Sequence, residues 1–167
     1  MAVCGCTRAV DISAQPHALD AAIASIYNEF MAVSAPPPQG ERMYEVTVED
    51  SFAAGHYLRN YKGKCENPHG HNYKVRVTLR GAELDKAGLL LDFKDLKDVM
   101  KHVIDRLDHQ MLNEIAPFTE LNPSAENLAK YFFDQTNGRL QSLTTGRVTV
   151  KDVTVWETDT TTARYSE

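Results

Sequence analysis

From Tyr73 to Leu79 every second residue is apolar (Tyr73, Val75, Val77, Leu79), and Gly81 closes the run. Only an extended chain places alternate side chains on one face, so this stretch reads as a strand with one side buried. Tyr44, Val46 and Val48 alternate in the same way and predict a first strand running on toward His56. A helical period follows. Asp92 suits an N-cap, and Phe93, Leu96, Met100, Val103 and Leu107 form one apolar face. In a second helix Asn122 caps, Pro123 takes the first helical position, and Ala125, Leu128, Ala129 and Phe132 face inward. Asn137-Gly138 supplies its expected end. A third strand covers 147–158, where the apolar parity passes from Val148 and Val150 to Val153 and Val155. That shift predicts a bulge near Lys151-Asp152. Residues 160–165 read as a short fourth strand. The order is ββααββ, an antiparallel sheet with both helices on one face, which is an α+β domain.

The first forty residues follow another pattern. Leu19, Ile23, Ile26, Tyr27, Phe30 and Met31 recur at three- and four-residue spacing, so 16–33 reads as an amphipathic helix. Ala35-Pro36-Pro37-Pro38-Gln39-Gly40 then stops any helix and forms a stiff linker. The expected division is an extension over 1–40 and a catalytic domain over 41–167, with Met43 as an alternative start. At 167 residues the chain is long enough to bury a core of its own. Its formal charge of −5, without a basic run, argues against a nucleic-acid partner. No stretch approaches the ~20 apolar residues that span a bilayer, and the N-terminus resembles neither a secretory signal nor a transit peptide. Three cysteines, an odd number, suit a reducing compartment, so the expected location is cytoplasmic. Cys4 and Cys6 read as incidental thiols.

His69 and His71 are two apart and share the parity of Tyr73 and Val75, so both leave the inward face of their strand. His56 shares the parity of Val46 and Val48. If the two strands pair as a hairpin without a bulge, three imidazoles converge. Three neutral nitrogens with an open fourth position make the arrangement of a catalytic zinc. An isolated H-x-H is more often an ordinary pair of histidines. His56 and a thiol four residues before His69 favour the metal. That thiol, Cys65, lies on a loop flanked by Lys62, Lys64 and Glu66, where a nearby dication would lower its pKa. In Asp108-His109 an acid beside an imidazole can act as a proton relay, though a solvated helix end explains the pair equally well. Glu157 ends an apolar parity and either meets a ligand edge with two N–H donors or faces solvent. His17 and His102 read as surface residues.

These residues, in this order, resemble the 6-pyruvoyl-tetrahydropterin synthase family, including the bacterial 6-carboxy-tetrahydropterin synthases of queuosine biosynthesis. The carriers are Phe52-Ala53-Ala54-Gly55-His56, Cys65-Glu66-Asn67-Pro68-His69-Gly70-His71-Asn72-Tyr73, Leu91-Asp92-Phe93, Leu107-Asp108-His109, Asn122-Pro123-Ser124-Ala125-Glu126-Asn127-Leu128 and Val155-Trp156-Glu157-Thr158. The resemblance implies the tunnelling fold, in which subunit sheets join edge to edge into a barrel. It also implies a homo-hexamer of two trimers with active sites at subunit interfaces. By position His56, His69 and His71 would ligate Zn2+, Cys65 would be the catalytic thiol, and Asp108 with His109 would relay protons. Glu157 would anchor the pterin ring by its pyrimidine edge, and Glu126 with Ser124 would line the pocket. Three residues separate Cys65 from His69, a spacing similar to that of the bacterial carboxy-tetrahydropterin synthases. Glu66 with Pro68 resembles instead a folate-directed branch that uses a glutamate. The expected activity is a zinc-dependent lyase turning 7,8-dihydroneopterin triphosphate into 6-carboxy-5,6,7,8-tetrahydropterin. The alternatives are 6-hydroxymethyl-7,8-dihydropterin with Glu66 as base, a 6-pyruvoyl-tetrahydropterin product, or a zinc-stabilised oligomerisation module without catalysis.

Overall fold

The computed structural model describes residues 42–167. The helix expected over 16–33, the proline linker, Cys4, Cys6 and His17 lie outside the described residues. Two long strands, β1 (Tyr44–His56) and β2 (His69–Gly81), pair antiparallel from Tyr44↔Gly81 to His56↔His69 without a break in register. That unbroken ladder satisfies the condition on which the three-imidazole reading depended. Val48, Phe52, Ala54 and His56 of β1 are buried on the face shared with Tyr73, Val75, Val77 and Leu79 of β2. The sheet continues through β4 (Thr149–Thr158) to β5 (Thr161–Ser166); with the short β3 (Gln110–Met111) at the other edge, the order is β3-β1-β2-β4-β5. In β4 the partners of Thr78 and Leu79 are Asp152 and Val150, so Lys151 is the extra residue. The bulge falls where the change of apolar parity places it, and it returns Val153 and Val155 to the core.

Helix α1 (Phe93–Ile104) and helix α2 (Ala125–Thr144) pack over β1, β4 and β5. Leu96, Met100 and Val103 of α1 and Leu128, Phe132 and Leu140 of α2 are buried in one cluster with the inward face of the sheet. The Asp92 carboxylate caps α1 by accepting from Lys94 N at 2.8 Å.

Several details differ from the sequence reading. The first is β3 (Gln110–Met111), a two-residue strand parallel to β1 at Ala54 and Gly55. Two residues carry no period, so no pattern announces it. Phe93 stands at the start of α1 with 56% of its surface exposed, off the buried face. Helix α1 stops at Ile104, four residues before Asp108, because the chain folds back: Leu107 N and Asp108 N both donate to Ile104 O. Helix α2 is capped by Ser124, whose Oγ accepts from Asn127 N, and not by Asn122. Nor does it end at Gly138. It runs another turn and a half, since Leu140 and Thr144 are buried against β4, and closes at Thr145 with a left-handed φ of 50°.

Candidate metal centre and adjoining cavity

The β1–β2 register sets His56 directly opposite His69, with His71 two residues on along the same face. Ring centroids lie 4.5 Å (His56–His69), 5.0 Å (His69–His71) and 5.3 Å (His56–His71) apart. One ligating nitrogen from each falls within 4.8 Å of the others. His56 is almost fully buried and the other two are partly so.

Two of the rings are oriented from behind. His56 Nδ1 donates to Pro123 O and His69 Nδ1 donates to Asn67 O, each at 2.8 Å. Because a carbonyl only accepts, Nδ1 carries the proton and Nε2 of the neutral ring offers its lone pair. Burial holds His56 below the usual imidazole range, against the raising effect of its bond to Pro123. Its Nε2 is buried and makes no hydrogen bond, although Glu157 Oε1 lies only 3.3 Å away. With the proton on Nδ1, Nε2 and the carboxylate oxygen are both acceptors, so no hydrogen bond joins them. Glu157 Oε1 also stands 3.8 Å from His71 Nε2. Three imidazoles whose ligating nitrogens converge, one of them an orphaned buried lone pair, are a donor set that a cation completes. The residues fit a metal ion.

Below the imidazoles lies Tyr73, fully buried, its ring edge-on to His56 and His71 and stacked on Phe52 at 4.9 Å. Burial, with the nearby charge of Glu157, pushes its hydroxyl well above the usual phenol range, so it stays neutral.

A cavity of about 260 Å³ opens beside the triad. Cys65, Ser124, Glu126 and Glu157 line it with Leu58 and Tyr61. Cys65 is a free, half-buried thiol in a short 3₁₀ turn, Lys64–Glu66. The neighbouring carboxylate is turned elsewhere: Glu66 Oε1 accepts from Tyr61 N at 3.1 Å. Ser124 serves as the α2 cap and Glu126 is exposed in the first turn of that helix.

His109 faces a different hollow, lined by Ala53 to Gly55, Gly70 to Asn72 and the β3 residues, with Asp108 behind it. Asp108 Oδ1 accepts from Ala53 N at 2.9 Å and Oδ2 pairs with His109 Nδ1 at 2.9 Å. The Ala53 N–H, then His109, hold this carboxyl below the usual range. His109 has a left-handed φ of 57° and a largely exposed ring. The acid and imidazole do meet. Within one chain His109 lines a separate space from the thiol, with His71 at the border.

The segment leaving His56 has no strand partner, and two asparagine amides supply one. Asn113 accepts from Tyr57 N and donates to Tyr57 O, both at 2.9 Å. Asn122 treats Arg59 the same way, at 2.8 and 3.0 Å. Neither role has a sequence signal, because the partners lie 56 and 63 residues away. The carbonyls of Pro123 and Asn67 behind the histidines are equally silent in the sequence.

The family profile described as 6-pyruvoyl tetrahydropterin synthase matches residues 45–167. Among curated proteins, the 6-carboxy-5,6,7,8-tetrahydropterin synthase of Haemophilus influenzae is 30% identical over 148 residues, covering 75% of this chain and 100% of its own. The 6-pyruvoyl tetrahydrobiopterin synthase of Homo sapiens is 40% identical over 130 residues, covering 69% and 86%. Among solved structures, the 6-pyruvoyl tetrahydropterin synthase of Caenorhabditis elegans superposes with a TM-score of 0.66 at 30% identity, over 75% of this chain and 96% of that one.

Proposed function

The chain belongs to the 6-pyruvoyl tetrahydropterin synthase family, and from that premise we propose that it is a zinc-dependent lyase converting 7,8-dihydroneopterin triphosphate into 6-carboxy-5,6,7,8-tetrahydropterin. The observation that carries the reading is the His56, His69 and His71 triad opening beside a cavity that holds both a free thiol and a carboxylate. Three neutral nitrogens suit Zn2+, which would polarise the oxygens of the substrate side chain and make their protons more acidic.

The remaining work falls to the protein. Glu157 presents a carboxylate to the N–H edge of the pterin pyrimidine, a charge-assisted contact that fixes the ring. Ser124 and Glu126 form the wall by the α2 N-terminus. Cys65 removes and returns the proton on the side-chain carbon next to the ring, and Asp108 holds His109 to exchange the hydroxyl proton. The thiol and the relay's His109 line separate cavities of one chain. That separation supports a homo-oligomer, a hexamer of two trimers by resemblance, in which a second copy brings its Asp108-His109 pair to the thiol. The proposed setting is the cytoplasm. Among the described residues no helix is long and apolar enough to cross a membrane.

Relatives are named for both carboxy and pyruvoyl products, and the spacing of Cys65 from His69 favours the carboxy product. Incubating zinc-loaded protein with 7,8-dihydroneopterin triphosphate and weighing the products decides. The carboxy-tetrahydropterin mass supports the proposal. A hydroxymethyl-dihydropterin product that requires Glu66 replaces it with the folate reading, and a 6-pyruvoyl product replaces it with the third. No turnover of any kind, together with no pterin binding, leaves a zinc-held oligomerisation module.

A further inference from the structure

The loop that follows His56 is firmly tied at its stem. The two asparagine clamps hold Tyr57 and Arg59, and Leu58 N donates to Cys65 O at 2.8 Å, so the loop closes on itself. Its tip is unusual. Asn60 and Lys62 both take left-handed φ values, 60° and 59°, on either side of Tyr61. Non-glycine residues adopt that conformation at a cost, so something must hold the tip. Two contacts do. Glu66 Oε1 accepts the Tyr61 N–H, and the Tyr61 ring lies against Gly63, where an added Cβ would stand 2.6 Å from the ring.

The result is a large aromatic side chain, 56% exposed, on the wall of the cavity that holds Cys65 and Glu157. No other lining residue of that cavity is aromatic, and among the described residues Tyr61 packs on no other ring. A planar heterocycle whose N–H edge meets Glu157 needs an apolar face to lie on, and Tyr61 is the flat surface available.

We infer that Tyr61 is the stacking platform for the pterin ring and that Glu66 is a positioning residue that holds Tyr61 over the cavity through its backbone N–H. This rests on the pterin reading above and adds a determinant of ring recognition to it. It also gives the Glu66 carboxylate a task in which it accepts a hydrogen bond and moves no proton.

The test is the affinity of zinc-loaded protein for neopterin, read by quenching of the pterin fluorescence. Tyr61→Ala should weaken binding about tenfold, the size of an aromatic stacking contribution, while Tyr61→Phe keeps the wild-type value. Gly63→Ala displaces the ring and should mimic Tyr61→Ala. Glu66→Ala should weaken binding similarly. Glu66→Gln should retain it within about twofold, because the amide oxygen still accepts the Tyr61 N–H. Zinc content is measured for each variant to confirm an intact site. Wild-type affinity in Tyr61→Ala overturns the inference, as does Glu66→Gln failing as badly as Glu66→Ala, since charge rather than the hydrogen bond would then matter. If wild-type protein itself binds no neopterin, the pterin reading has failed and the inference falls with it.

Discussion

The His56 imidazole donates from Nδ1 to the carbonyl oxygen of Pro123, 67 residues away, at 2.8 Å. This bond ties the most deeply buried of the three candidate ligands to the turn that enters α2. The same turn carries Asn122, which clamps the chain just beyond His56, and Ser124, which caps the helix. The helix entry and the metal centre are therefore one unit, and disturbance of either reaches the other.

Replacing any one of His56, His69 or His71 with alanine should abolish stoichiometric zinc binding, because two imidazoles do not hold the ion at its former affinity. Metal analysis of the purified variants is the check. Full occupancy in two of the three would refute the assignment.

Cys65→Ala should retain zinc and lose carboxy-tetrahydropterin formation. The thiol lines the cavity but is not among the atoms that converge with the three imidazoles. Loss of metal in this variant would make Cys65 a fourth ligand and remove the open position.

Glu157→Gln should raise the KM for dihydroneopterin triphosphate about ten- to a hundredfold while zinc stays bound. The amide turns a charge-assisted acceptor into a mixed group whose NH₂ opposes a donor, at a cost of about 1–3 kcal/mol. An unchanged KM would mean that the carboxylate serves only the metal centre it already faces at 3.3 Å.

Gly138→Ala should stabilise the fold by about 0.5–1 kcal/mol, read as a higher midpoint in denaturant. Gly138 sits inside α2 without a positive φ, and a Cβ there meets nothing within 4 Å. Destabilisation would show that the glycine is needed for a neighbour packed on it in the assembled protein.

Asn113→Ala should cost about 1–3 kcal/mol, since the buried amide satisfies both the N–H and the carbonyl of Tyr57. An aspartate substitution tests the account further. It keeps the acceptor for Tyr57 N but loses the donor to Tyr57 O, so it should also destabilise.

Strand parity carried most of what was legible. Alternation through Tyr73, Val75, Val77 and Leu79 located β2, projected His69 and His71 inward, and the shift between Val150 and Val153 marked the bulge at Lys151. Local helix signals did less well. Asn122 and Gly138 each carry a textual sign of a helix end, but the Asn122 amide is engaged by Arg59, and burial of Leu140 and Thr144 extends α2 past the glycine. Contacts made by single side chains across 56 or more residues leave no periodic trace, and β3 is too short to leave one.

The paired asparagine bridges have a consequence for how such a chain can vary. They fasten residues 57 and 59 to distant parts of the domain, and Leu58 N to Cys65 O closes the span from the other side. Everything between Asn60 and Lys64 hangs outside that closure. Loop length there is uncoupled from the geometry of the imidazoles. This span can accept insertions, deletions or a grafted peptide while the metal ligands keep their places, so recognition can be retuned without rebuilding the centre.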